Sequence, residues 1–153
     1  MSSAIGLMLS VNPDLSVSQI KKILYSSVTD LKSSYLSCGL LNAGLSVQKA
    51  KYKVFKNSVV HLTGIEKLSG NRVKVKWNNL NVYGPEKMLI YRSASKNGKY
   101  ENIKSIPGED NCTYIDTNLT TGKTYYYKIR VAMKYGGGYK YTPYSEIKSI
   151  KLK

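Results

Sequence analysis

The chain has 153 residues, enough for one ordinary domain or for a small domain plus part of another. Its hydrophobic content of 42% is that of a globular protein and excludes wholesale disorder, and no apolar run reaches the roughly 18–20 residues that a membrane helix needs. Charge is uneven: residues 1–50 hold four lysines and two aspartates, whereas residues 51–153 hold 20 Lys/Arg against seven acidic residues, a net of +13, so any electrostatic partner is expected to be polyanionic.

The first 50 residues read as helical. Ala4, Ile5, Leu7, Met8 and Leu9 are apolar on nearly every face, which predicts a buried helix over Ala4 to Val11, ended by Asn12-Pro13. That stretch lacks the basic flank and the small-residue cleavage site of a signal peptide, so no export signal is expected in it. Ser16 and Gln19 stand in the relation of a capping box, and Ile20, Ile23, Leu24 and Val28 follow at helical spacing, which predicts a second helix through about Leu31. Gly39 breaks the chain. Leu40, Leu41, Ala43, Leu45, Val47 and Ala50 then suggest a third short helix. Three such helices are too apolar for their length and are expected to need a larger core than they can form together.

Residues 51–58 are polar and basic and read as a linker, after which the period changes to two. Val73, Val75 and Trp77 alternate with Lys74 and Lys76, giving a strand with one apolar and one solvated face. Met88 to Arg92 is a further strand, flanked by Gly84-Pro85 and by the Asn97-Gly98 turn. Tyr100 to Ile106 and Cys112 to Asp116 follow. The longest is Thr124 to Lys134, with Tyr125, Tyr127, Ile129 and Val131 on one face and Tyr126, Lys128 and Arg130 on the other. Glu146 to Leu152 closes the set. With one strand near Val59 to Leu68, seven short strands separated by turn signals about every 8–12 residues predict a mainly β, seven-stranded antiparallel sandwich over residues 59–153. Fourteen tyrosines against one Phe and one Trp suit such strands, since tyrosine joins an apolar ring to a polar tip.

Over about 95 residues this tail resembles the fibronectin type III family. Trp77 lies where the family keeps its core tryptophan, Leu119 to Tyr125 matches its L-x-P-G-x-x-Y tyrosine corner, and Tyr144-Ser145 opens the last strand. Thr121 replaces the family's proline, a departure that loosens the turn. The runs Ile90-Tyr91-Arg92-Ser93 and Gly122 to Lys128 resemble modules of Gram-positive bacterial surface and secreted proteins. The resemblance implies an immunoglobulin-like sandwich with a binding or spacer role. The corner tyrosine is expected to bury its ring and to satisfy a nearby backbone group.

The head, residues 1–50, resembles the C-terminal end of subtilisin-like serine protease catalytic domains, an α/β family. Ala4 to Val11 stands where that family's buried helix follows its nucleophile, Asn12-Pro13-Asp14-Leu15-Ser16 matches its N-P-x-L-[ST] turn, and Gly39-Leu40-Leu41-Asn42-Ala43 matches its closing G-x-[VIL]-[ND]-A segment. The resemblance implies a C-terminal fragment of a secreted serine endopeptidase bearing the module at a cell surface. The alternative is a stand-alone interaction or adhesion protein of a Gram-positive bacterium.

No catalytic, cofactor-binding or metal-binding residues are assigned. A serine-protease triad needs Ser, His and Asp together. The single histidine, His61, lies outside the protease-like segment, and Ser2 and Ser3 lack the G-T-S context of the family's nucleophile, so this chain alone is expected to be inactive. Cys38 and Cys112 match no metal spacing or redox motif and are expected to be free thiols. Gly122-Lys123-Thr124 imitates the end of a phosphate loop, but a strand follows it instead of a helix. Gly136-Gly137-Gly138 reads as a flexible hairpin loop, or else as a Tyr/Gly/Lys loop that touches a ligand. The lysines are spread over outward positions of many strands, so nucleic acid is not expected as a partner, and an anionic cell-wall polymer, a glycan or a surface protein is.

Overall fold

A computed structural model describes residues 2–29, 40–78, 86–107 and 112–153 of the chain. It divides into two compact units, Met1–Lys56 and Asn57–Lys153. Among the described residues no helix is long and apolar enough to cross a membrane.

In the first unit α1 spans Ser2–Val11, and Asn12 terminates it as its composition predicts. The Asn12 amide hydrogen-bonds back to the Met8 carbonyl, and its side-chain Nδ2 donates to the Ala50 carbonyl at 3.3 Å, so the end of the helix is tied to a distant segment. Helix α2, Val17–Tyr25, carries the full capping box: the Gln19 amide donates to Ser16 Oγ at 3.3 Å and the Ser16 amide to Gln19 Oε1 at 3.2 Å. It is shorter than the sequence suggests. The hydroxyls of Ser26 and Ser27 both donate to the Ile23 carbonyl, the local competition by which serine ends a helix. Val28–Thr29 is then extended, as β1, and pairs antiparallel with Leu40–Leu41, β2. The remainder of the expected second helix, Asp30 and Leu31, lies outside the described residues, as do Cys38 and Gly39.

Helix α3, Ala43–Asn57, differs most from expectation. It begins after Asn42, whose Oδ1 accepts the Leu45 amide at 2.9 Å, so Leu40 and Leu41 belong to a strand and not to the helix. It also runs through the segment read as a linker. Residues 45–57 contain no glycine or proline, and their lysines favour a helix as readily as a solvated connector. The three helices also do close a small core together, contrary to expectation: Met8, Leu15, Ile23 and Ala50 are buried as a cluster, with Ile5, Ile20, Leu24 and Val47 against it. Leu7, Val17 and Tyr25 remain more than half exposed.

The second unit is an antiparallel sandwich. One sheet orders β3 (Leu62–Leu68), β4 (Arg72–Trp77) and β7 (Thr113–Asp116). The other orders β10 (Lys148–Lys151), β8 (Thr124–Tyr135), β5 (Lys87–Ser93) and β6 (Glu101–Pro107), with β9 (Gly138–Tyr141) also on β8. The predicted alternation places the core: Val73, Val75 and Trp77 are buried from one sheet, Ile90, Tyr127, Ile129 and Val131 from the other.

Between the expected sixth and seventh strands the chain forms one more, β9. Gly136 and Gly137, both at positive φ, make a two-residue turn between Tyr135 and Gly138, so Gly138 belongs to a strand and the loop is a tight hairpin. Pro143 has no amide to offer β8 and interrupts the ladder after Tyr141. Side chains bridge the break: the Val131 amide donates to Thr142 Oγ1 and the Ile129 amide to Ser145 Oγ, each at 3.0 Å. β10 then resumes on the same edge of β8.

The corner is built around Tyr125. Its ring is buried and its hydroxyl oxygen accepts the Thr120 amide at 3.0 Å. Thr121, where the related pattern has proline, does not leave the turn loose: its hydroxyl donates to Asn71 Oδ1 at 3.0 Å, joining the corner to the β3–β4 turn.

Candidate binding face

The alternation along β5 and β8 turns one set of side chains away from the core. Leu89, Tyr91 and Ser93 face outward on β5, cross-strand from Arg130, Lys128 and Tyr126 on β8. Tyr141, paired with Ala132, and Tyr139, paired with Lys134, extend the same face onto β9. Tyr144 follows the Pro143 break. Leu89, Tyr91 and Ala132 are buried there as a second, smaller apolar cluster, with Tyr100 packed against it.

Cations and tyrosine rings interleave on this surface. The Arg130 guanidinium lies 4.2 Å from the Tyr141 ring centre, 4.6 Å from that of Tyr144 and 5.3 Å from that of Tyr91, and its Nε and Nη2 donate to the Tyr91 hydroxyl at 3.1 and 2.9 Å. The Lys128 ammonium lies 4.0 Å from the Tyr144 ring and 4.2 Å from the Tyr100 ring. Lys87 lies 4.5 Å over Tyr139, whose hydroxyl donates to Glu86 Oε1 at 3.4 Å. Tyr91 and Tyr144 meet edge to face at 5.2 Å. Ring faces stabilise a cation without neutralising it. Among the described residues neither Lys128 nor Arg130 pairs with a carboxylate, so their charge stays available to a ligand. Burial pushes the Tyr144 phenol above its ordinary range against the opposing pull of Arg130.

On the core side of the same strands a polar group is fully satisfied. Arg92 Nη1 donates to both carboxylate oxygens of the buried Asp116, at 3.1 and 2.9 Å, and Tyr127, wholly buried, donates its hydroxyl to Asp116 Oδ2 at 2.8 Å. Burial first, and the hydrogen bond to the carboxylate second, push the Tyr127 phenol far up, so it stays protonated. This clasp joins the two sheets and commits the Tyr127 hydroxyl proton to the Asp116 carboxylate. A cleft of about 380 Å³ lies beside it, lined by Arg92, Ser95, Lys99 and Glu101 among others.

The residues weighed in the sequence do not converge. His61 lies at the surface before β3, where its Nδ1 is 3.3 Å from Glu146 Oε2 and its amide donates to Asn78. Gly122 has φ +82° and donates its amide to the Leu152 carbonyl at 2.7 Å, which closes a turn. Thr124 opens β8. Cys112 carries a free thiol and accepts the Trp77 amide through its carbonyl. Among the described residues no three His, Cys, Asp or Glu side chains gather as metal ligands would. The face itself was half legible. The period of two sets Lys128 and Arg130 outward, but the rings that flank them come from β5, the residue before β6, β9 and the post-Pro143 segment, and only the strand pairing brings those together.

No protein-family model matches the sequence, and no curated protein matches it. Solved structures do resemble the fold. A human fibronectin type III domain in solution shares 17% identity with a TM-score of 0.52, covering 74% of this chain and 85% of that one. The FN1–FN3 domains of chicken CNTN1 share 17% with a TM-score of 0.52, over 63% of this chain and 32% of that one. Pectate lyase PelI from Erwinia chrysanthemi shares 16% with a TM-score of 0.50, over 60% of this chain and only 27% of the lyase. At such identities the likeness is one of fold: residues 57–153 form a sandwich resembling fibronectin type III domains, preceded by a few helices.

Proposed function

We propose that this chain acts by binding or spacing and not by catalysis, with the sandwich as a module that holds an anionic polymer at a cell surface. The observation that carries the reading is the outer face of the five-stranded sheet. Lys128 and Arg130 sit there among tyrosine rings with no carboxylate partner among the described residues, within a segment of net charge +13. A fibronectin-like fold suits a binding or spacer role. Retention of the whole chain on an immobilised anionic polymer tests this. It should fall steeply as salt rises from about 0.05 to 0.5 M, because screening weakens exposed charge pairs over that range. Absence of retention at low salt, or retention indifferent to salt, would count against it.

The finer reading is that the helical unit corresponds to the closing helices of a secreted subtilisin-like endopeptidase whose catalytic residues are not in this chain. Its support is the order of Ala4 to Val11, Asn12 to Ser16 with the capping box, and Gly39 to Ala43. The small shared core of α1, α2 and α3 favours the other reading, a stand-alone interaction protein. The DNA immediately upstream separates the two. An in-frame or frameshifted G-T-S-containing segment supports the protease origin; unrelated sequence with its own promoter supports the stand-alone protein.

A further inference from the structure

Resting on that reading, we propose that the ligand of the outer face is an acidic polysaccharide, laid along β8 with sugar rings against Tyr141 and Tyr144 and its anionic groups on Lys128 and Arg130. Three observations point to this class. The cations form a row: Lys128, Arg130 and Lys134 share one side of β8, so they span about 20 Å at the rise of a strand, which suits a linear polyanion better than a small anion. The aromatic rings beside the row are accessible, with Tyr139, Tyr141 and Tyr144 each 39–47% exposed along the edge formed by β9 and the segment after it. A sugar ring has an apolar C–H face that a half-exposed tyrosine can cover while the hydroxyl at the ring's tip stays wet.

The third observation separates a sugar polymer from a single-stranded nucleic acid, which is also linear, anionic and able to stack. Bases bind by splaying out onto open aromatic platforms. Here the spaces between the rings are filled: Arg130 lies between Tyr91, Tyr141 and Tyr144, and Lys128 between Tyr100 and Tyr144. A ligand must lie over this surface and cannot insert into it.

The test titrates the whole chain with alginate, a uronic-acid polymer, with long-chain polyphosphate and with oligo(dT), at matched charge concentration and fixed ionic strength. Alginate should bind at least about tenfold more tightly than polyphosphate. K128Q/R130Q should weaken alginate at least about tenfold, whereas K67Q/K74Q, which removes the same charge from the three-stranded sheet, should cost less than about twofold. Y141A/Y144A should erase the preference for alginate over polyphosphate; Y141L/Y144L, which keeps apolar bulk at both positions, should do the same and guards against loss of fold, checked by circular dichroism. If polyphosphate binds as well as alginate, or if the tyrosine variants keep the preference, the sugar-stacking proposal fails while the anionic-polymer reading stands. Equal losses from the two charge variants overturn the location. Tighter binding of oligo(dT) than of alginate overturns the ligand class, and absence of binding to all three defeats both the proposal and the reading beneath it.

Discussion

Tyr125 and Tyr127 stand two residues apart on the same side of β8, yet they do different work. Tyr125 closes the corner through its hydroxyl oxygen, which accepts the Thr120 amide. Tyr125→Phe leaves the ring and removes the acceptor, so it should cost about 1 kcal/mol of stability, read from the shift of the denaturant midpoint at unchanged slope, with the fold unchanged. Tyr127 is held by Asp116, and its phenol is raised well above the ordinary value near 10. A raised folded-state pKa contributes stability that is present below the unfolded value and is lost as pH climbs above it. The wild type should therefore lose stability between about pH 10 and 12. Tyr127→Phe should be less stable at pH 8 because it gives up the hydrogen bond, but should fall less steeply above pH 10. Midpoints of urea unfolding at pH 8 and pH 11 for the two proteins check the sign.

At the scale of the element, the break at Pro143 shows how an edge strand survives a residue that cannot donate. Thr142 and Ser145 place hydroxyls where the ladder would have carbonyls, and the amides of Val131 and Ile129 stay paired. Thr142→Val keeps the shape and leaves the buried Val131 amide without an acceptor, at an expected cost of about 1–3 kcal/mol; Ser145→Ala does the same to Ile129. Amide exchange at Val131 should accelerate in the first variant and at Ile129 in the second, with the β5 amides unaffected. Acceleration spread evenly over β8 would mean that the hydroxyls do not act locally. Both α2 and α3 are set by the same chemistry at their ends, since Ser16, Ser27 and Asn42 decide where helix begins or stops.

For the whole molecule the division at Lys56 and Asn57 sets the expectation for stability. The sandwich has buried side chains from both sheets and an inter-sheet clasp, so residues 58–153 alone should unfold in one cooperative transition. Among its described residues the helical unit buries a small cluster, Met8, Leu15, Ile23 and Ala50, and leaves Leu7, Val17 and Tyr25 exposed. Residues 1–56 alone should be marginal and prone to associate. Calorimetry and sedimentation of the two pieces measure this directly. A soluble, monomeric and cooperative helical piece would instead make it a domain in its own right and favour the stand-alone protein.

Period and punctuation in the sequence determined the sandwich. Alternation fixes which side chains of β4, β5 and β8 turn inward, because a strand's side chains alternate whatever it pairs with. Local signals likewise set the capping box at Ser16, the tyrosine corner and the hairpin at Gly136. The extent of α3 and the early end of α2 were not readable in the same way, because lysine-rich stretches and serines are compatible with either state until neighbours choose. Only the tertiary structure assembled the candidate face. Lys128 and Arg130 are outward by local rule, but Tyr91, Tyr100, Tyr141 and Tyr144 come from four separate stretches of chain, and their convergence follows from strand register, which no residue encodes alone.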